Sequence, residues 1–279
     1  MPIKIVTDST ADLPQDYVQE NGITVVPLYV NFPTATYRDG IDIQAKDFYP
    51  MLIKSKDNLP KTSTPSVDDF KNVYDNLLAK GQQILSIHIS SGLSSTGSMA
   101  ESAAKMIDGA IRIFDSKTIS LGIGLQVVEA VEMVKANLSL DNICERLNEV
   151  RQRTEITFSL DTLEYLEKGG RIGKVSALLG SILSIKPVIK VENGIYVPID
   201  KVRNQNQAIK SMVNNMLKTL GDNKPRYIAV AHGAAEEAAQ RLREAAEEAT
   251  GMKITYLKEV GPVIGVHTGP GSLGLAFTY

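Results

Sequence analysis

The chain has 279 residues, 43% of them hydrophobic and 22% charged, enough apolar material to bury a core as one large or two modest domains and too much to stay disordered. Thirty Lys and Arg against 32 Asp and Glu leave a net charge of −2, which supplies no global field for nucleic acid or an anionic membrane. One cysteine, Cys144, excludes an internal disulfide framework, and three histidines offer little for a zinc site.

Ile3 to Thr7 predicts a buried strand that opens into the polar turn Asp8-Ser9-Thr10. The apolar run before Asp8 is too short for a signal peptide. No window approaches the ~20 apolar residues of a transmembrane helix, so we expect a cytoplasmic protein with no membrane span. Pro14 opens a helix, Ile23 to Val30 reads as a second strand, and Ile41 to Lys54 reads as a helix that carries Pro50. Thr64-Pro65 predicts the cap and first residue of a helix over Ser66 to Lys80, closed by Gly81.

Strand Ile84 to Ile89, helix Ser94 to Ile107, strand Ile111 to Phe114 and helix Leu121 to Ala136 continue the alternation. This is the grammar of a parallel sheet with helices on both faces. Ser139 caps a helix to Arg151, with Leu140, Ile143, Leu147 and Val150 as its inward stripe. Cys144 lies beside that stripe and reads as a structural thiol.

After Phe158 the pattern changes. Leu163 to Lys168 and Val175 to Leu183 predict short helices, and Val188 to Val191 faces Ile195 to Val197 across the hairpin signal Asn193-Gly194. A helix over Gln205 to Leu220, a strand over Tyr227 to Ala231, a charged helix over Ala235 to Thr250, and strands near Ile254 to Val260 and Leu273 to Phe277 follow. The expected fold is α/β: an N-terminal three-layer α/β/α domain over 1–158 with a mostly parallel sheet, then an α+β domain over 159–279 with a mixed sheet. The charges from Glu236 to Glu248 read as a solvated helix face.

Gly269 to Gly274 matches G-x-G-x-x-G, but too little chain follows for a dinucleotide fold. Gly169-Gly-Arg-Ile-Gly173-Lys174-Val175 is not a P-loop, because its glycines are one residue too close and Val175 stands where Ser or Thr must bind magnesium. Ser90 to Ser98 carries six hydroxyls in nine residues at a strand–helix junction, where free N–H groups and hydroxyl donors suit a carboxylate or phosphate. Lys61-Thr62-Ser63-Thr64 is a second hydroxyl cluster at a helix start, and Asp8 ends the first strand, where open α/β sheets place ligands. His88 sits inside a strand and reads as a core group, and His232 ends a strand. His267 lies among five glycines and two prolines within residues 261–274, which reads as a bent backbone close to a ligand. No nucleophile elbow of the Gly-x-Ser-x-Gly type is present.

Together, Val6-Thr-Asp-Ser-Thr10, Thr62-Ser-Thr-Pro-Ser66, Ile89-Ser-Ser-Gly-Leu-Ser-Ser-Thr96, Asp115-Ser116, Gly169-Gly-Arg-Ile172 and Gly265-Val-His-Thr-Gly-Pro-Gly271 resemble the DegV family along essentially the whole chain. The resemblance implies a two-domain protein that holds a long-chain fatty acid such as palmitate between its domains. It also implies delivery of the acid to a separate fatty acid kinase, with no metal or cofactor and no catalysis of its own. It places the carboxylate on Thr62, Ser94 and His267, with Asp8, Ser95 and Thr96 as support, and makes Arg171 and Arg203 contacts for the kinase. Thr64 and Ser95 depart from the glutamine and glycine that members often carry. An alkyl chain of about 14 methylenes is worth roughly 11 kcal/mol when fully buried, less ordering and association costs, while hydroxyls and an imidazole serve the head group. The enzymatic alternative is acid–base chemistry by Asp8 and His267 on a small acyl or phosphorylated metabolite; the bland one is an interaction protein with structural glycines.

Overall fold

β1 (Ile3–Asp8) runs up the centre of a parallel sheet and ends in a 3-10 turn over Ser9–Ala11. The computed structural model describes residues 1–55, 58–178 and 185–279. After α1 (Gln15–Glu20), the expected single strand over Ile23 to Val30 is two: β2 (Thr24–Val26) and β3 (Tyr29–Asn31). Pro27 between them has no N–H to donate to a ladder, and the two strands enter different sheets. β4 (Thr36–Arg38) and α2 (Ala45–Lys54) follow, the latter with Pro50 inside it.

After β5 (Lys61–Ser63) comes α3 (Val67–Leu78), whose cap is Ser66, not Thr64. Ser66 Oγ accepts the Asp69 N–H while Asp69 accepts the Ser66 N–H, a reciprocal box that outcompetes the upstream threonine. β6 (Gln83–His88), α4 (Thr96–Ala104) and β7 (Ile111–Asp115) complete a four-stranded parallel sheet in the order β2-β1-β6-β7. α5 (Leu121–Lys135) and α6 (Leu140–Gln152) close this half, and Ser139 caps α6 as expected.

β8 (Thr154–Ser159) is the strand in which a boundary at 158 would fall, and all of it pairs in the second sheet. α7 (Glu164–Lys168) precedes a 3-10 stretch over Gly173–Leu178 where a helix over Val175 to Leu183 is expected. The remainder of that expectation lies outside the described residues. β9 (Lys186–Glu192) and β10 (Ile195–Val202) form the expected hairpin, with Asn193 and Gly194 at φ 51° and 82°, the left-handed pair a tight primed turn requires. α8 (Gln205–Leu220), β11 (Tyr227–His232), α9 (Glu236–Thr250), β12 (Tyr256–Glu259), α10 (Pro262–Thr268) and β13 (Leu273–Thr278) finish the chain. The mixed sheet runs β10-β9-β8-β13-β11-β12, antiparallel except for the β11–β12 pair.

α5 joins the two halves. Twelve of its 15 residues are buried, the signature of a helix walled in on all sides, and it touches β1 and β6 of one sheet and β8, β11 and β13 of the other. One apolar core therefore runs from Ile5 and Leu85 through Ile123 and Val127 to Ile156 and Ala276. A separate apolar cluster gathers Val30, Phe32, Phe48, Tyr49 and Leu52 from the small antiparallel sheet β4-β3-β5 and α2 against Val263 and Val266 of α10.

Candidate functional site

β5 and α10 bring Thr62 and His267 together from 205 residues apart. β5 pairs with β3 so that Thr62 lies opposite the fully buried Val30, while its neighbours Lys61 and Ser63 face water. The Gly-rich segment expected to be a bent turn is instead the buried helix α10, started by Pro262 and ended by Gly269 at φ 70°. Its glycines answer to packing: a side-chain carbon at Gly265 would lie 2.6 Å from Phe48 Cε1. His267 Nε2 meets Thr62 Oγ1 at 2.9 Å.

His267 is 9% exposed, and Gly169 packs against Nδ1 so closely that a side-chain carbon there would lie 2.3 Å from it. Burial, with the nearby Arg171 charge, pulls the imidazole down from 6.5 to about 4, so it is neutral near pH 7 and carries one N–H. Nδ1 has no partner among the described residues. With the proton on Nε2, the ring donates to Thr62 and the threonine keeps its own proton to offer onward; with the proton on Nδ1, that N–H is stranded and the hydroxyl proton is spent on the ring. The first tautomer wastes less and equips Thr62 as a donor toward a carboxylate.

The shift has a measurable consequence. An unfolded imidazole takes its proton below about 6.5, while the native one resists down to about 4. The native state therefore loses stability as pH falls from about 6.5 to 4, by about 3 kcal/mol in all, and gains or loses nothing from this group above that window. Denaturant unfolding at pH 7 and pH 4.5 should show His267→Leu losing about 2 kcal/mol less than the unsubstituted protein; equal losses would mean that His267 is protonated in the native state.

Ser94 bonds within its own loop, Oγ to Thr96 Oγ1 at 2.8 Å and from the Thr96 N–H at 3.3 Å, while Ser95 is exposed and caps α4 without a side-chain bond. Thr96 is fully buried. Ser90, in the same run of hydroxyls, donates to the Gly194 carbonyl at the tip of the β9–β10 hairpin, so part of that run fastens the two halves together. Arg171 is exposed and donates to Gly169 O at 2.9 Å; Arg203 is exposed ahead of α8, where its N–H meets Gln207 Oε1.

Asp8 pairs with His88 and His267 with Thr62, so the acid and the base of the enzymatic alternative are each engaged with another group. Asp8 Oδ2 accepts from Ile89 N and lies 2.9 Å from His88 Nδ1, and its Oδ1 takes Thr10 N–H and hydroxyl. His88 Nε2 meets Ser86 Oγ at 2.7 Å, and Ser86 meets Tyr74 Oη at 2.8 Å. The order Asp–His–Ser imitates a hydrolase triad, but all four side chains are fully buried, so no substrate reaches the serine. The network ties β1 to β6 and α3. Local spacing does not reveal it because Asp8 lies 80 residues from His88. His232 is buried and neutral, lowered by desolvation, and its Nδ1 accepts the Ala235 N–H. Burial raises the Cys144 thiol, which suits a structural role over a nucleophilic one.

A cavity of about 310 Å³ opens at the carboxyl ends of β1 and β2, walled by Asp8, Asp12, Asp39, Lys258 and Gly261 among others. Thr62, Ser94 and His267 do not line it. Among the described residues, no group of three or more His, Cys, Asp or Glu side chains is arranged to hold a metal ion, and no helix is long and apolar enough to cross a membrane.

The family model described as "Uncharacterised protein, DegV family" matches residues 2–279. A DegV domain-containing protein of Staphylococcus aureus is 36% identical over 271 residues, covering 97% of this chain and 96% of its own. Among solved structures, a fatty-acid-binding DegV family protein from Thermus thermophilus superposes with a TM-score of 0.92 at 35% identity, over 100% of both chains. DegV, a fatty acid binding protein from Bacillus subtilis, gives 0.90 at 32% identity, over 100% of this chain and 99% of its own. A stearic-acid-binding protein from Eubacterium ventriosum gives 0.94 at 29% identity, over 100% and 98%.

Proposed function

The chain belongs to the DegV family, and from that premise we propose that it carries a long-chain fatty acid between its 1–158 and 159–279 halves and presents the carboxylate to a separate kinase. The observation that carries the reading is the 2.9 Å contact between Thr62 and His267: two uncharged groups, one from each half, joined at the edge of an apolar cluster. A carboxylate there takes hydrogen bonds from the Thr62 hydroxyl and from Ser94, once Ser94 turns from Thr96, and the single His267 N–H, on Nε2, is shared between Thr62 and the acid. Charge-assisted bonds of this kind are worth about 1.5–3 kcal/mol each.

The tail lies along the cluster of Val30, Phe32, Phe48, Leu52 and Val266. Val30, Phe48 and Leu52 have no accessible surface, so its entry parts α2 from α10 and replaces their mutual contacts with contacts to the acyl chain. Arg171 and Arg203, both exposed, face the kinase. The protein supplies binding and orientation, and the kinase supplies the phosphoryl transfer.

Delipidated protein titrated with palmitate should bind one equivalent, and hexadecanol, with the same tail and no charge, should bind far more weakly. Equal affinities would contradict the head-group assignment. ATP and magnesium added to the palmitate-loaded protein alone should leave the acid unphosphorylated; turnover without a partner would make the protein itself an enzyme.

A further inference from the structure

Two buried carboxyl groups that the ligand reading leaves unused grip the start of α10. Asp12 Oδ1 accepts the Gly261 N–H at 2.8 Å, and Asp12 Oδ2 accepts Ser120 Oγ–H at 2.5 Å. The Ser9 hydroxyl and the Val263 N–H face Asp39 and favour its charged form. The two acids bracket one point of the backbone, since a side-chain carbon on Gly261 would lie 3.1 Å from Asp12 Oδ1 and 3.3 Å from Asp39 Oδ1. Each residue is 3% exposed, and Asp39 Oδ2 has no hydrogen-bond partner among the described residues.

Local strain marks the same place. Asp12 holds φ 47°, ψ 38°, and Ser120, its hydrogen-bond partner, holds φ 47°, ψ −126°. Non-glycine residues keep such conformations only where the surroundings over-determine them, and they collect where geometry matters to function. Tyr49 Oη adds a third tie, donating to Val260 O at 3.3 Å. His267 is six residues beyond Gly261, less than two helical turns away, on a helix whose seven residues are all buried. A displacement at Gly261 is therefore carried to the imidazole.

We propose that Asp12 and Asp39 are positioning residues that act through α10, setting His267 against Thr62, and that this setting loosens as the two acids lose their protons. The consequence for ligand affinity rests on the fatty-acid reading above. Burial raises Asp12 to about 6 and Asp39 to about 8, with the Asp12 charge adding to the rise of Asp39. A closed arrangement that holds protons more tightly than water-exposed carboxyls do is disfavoured as pH rises through those values. The charges facing the pair act in both directions. Asp8 raises Asp12, and Lys258 lowers both acids. Tyr49 on α2 and Tyr256 on β12 are themselves raised by burial, with Asp12 adding to both and Asp39 to Tyr49, and burial raises Glu259 with Glu236 adding to it. The neighbouring cavity, about 310 Å³, gives water a route to the acids once the grip opens.

The test follows the His267 ring in the ligand-free full-length protein by nitrogen-15 NMR between pH 5.5 and 9, beside palmitate affinity over the same range. Asp12→Asn and Asp39→Asn imitate the protonated acids and so keep the closed arrangement folded. The His267 resonances should step near pH 6 and near pH 8 although the ring itself stays neutral, and palmitate should bind about tenfold more weakly at pH 9 than at pH 6, the equivalent of one pKa unit. Asp39→Asn should leave only the step near pH 6, Asp12→Asn should leave one step moved below pH 8 because the Asp12 charge that helps raise Asp39 is gone, and the double variant should show neither. A ring insensitive to pH across the range, or steps unchanged in both variants, would overturn the proposal. Steps that behave as described in a protein that binds palmitate at no pH would leave the positioning intact and remove the fatty-acid reading.

Discussion

A Thr62→Val, His267→Leu double variant should fold normally and bind palmitate on the order of 10²- to 10⁴-fold more weakly. Each lost hydrogen bond to a charged acceptor is worth about 1.5–3 kcal/mol, and two of them sum to about 3–6 kcal/mol, at 1.4 kcal/mol per tenfold. The fold should survive because both partners of the 2.9 Å contact go together, leaving no orphaned donor, and each replacement keeps roughly the volume of the original. His267→Leu alone is the sharper control: it removes the ring yet leaves the Thr62 hydroxyl, and should fall between the double variant and the unsubstituted protein. Unchanged affinity in the folded double variant would move the head group elsewhere, with the Ser94 to Thr96 loop as the remaining hydroxyl cluster.

The second large effect is on stability, at Phe48. Its ring is fully buried and packs edge-on against Phe32 and Tyr49 with centroids 6.3 and 5.2 Å away. Truncation to alanine should cost about 3–5 kcal/mol through lost burial plus the space left behind. In a chain of this size that lowers the melting temperature by roughly 2–4 °C per kcal/mol. The proposed function adds a second expectation. If the acyl tail parts α2 from α10, Phe48→Ala removes part of what the tail must displace, so saturating palmitate should recover more stability in the variant than in the unsubstituted protein. Equal recovery in both would place the tail away from this cluster.

Legibility in the sequence varied with the range of the interaction that decides each element. α8 and the β9–β10 hairpin follow from local signals, since Asn204 caps the helix through the Gln207 N–H and Asn193-Gly194 adopts the left-handed pair. The sheet β4-β3-β5 was not legible, because strands of three residues are too short to show a period. α10 was hidden by its glycines, which read as bends when the demand came from Phe48 and Tyr49 lying against Gly265. Asp8 looked like a ligand group at the end of a strand, and only the fold supplies His88 as its partner. Nothing in local spacing joins Thr62 to His267. Only the resemblance to the family's motifs puts them at one site, and the fold supplies their 2.9 Å separation and the burial of the imidazole. The grip of Asp12 and Asp39 on Gly261 had no local signal at all, because it joins segments more than two hundred residues apart.

The most direct measurement is the identity of whatever lipid travels with the protein. Material purified under native conditions, denatured, extracted into organic solvent and analysed by mass spectrometry should release close to one equivalent of saturated or unsaturated acids with tails of about 14 or more methylenes, and the Thr62→Val, His267→Leu variant should release much less. Extracts without fatty acid, from protein that also fails to take up palmitate after delipidation, would contradict the carrier account.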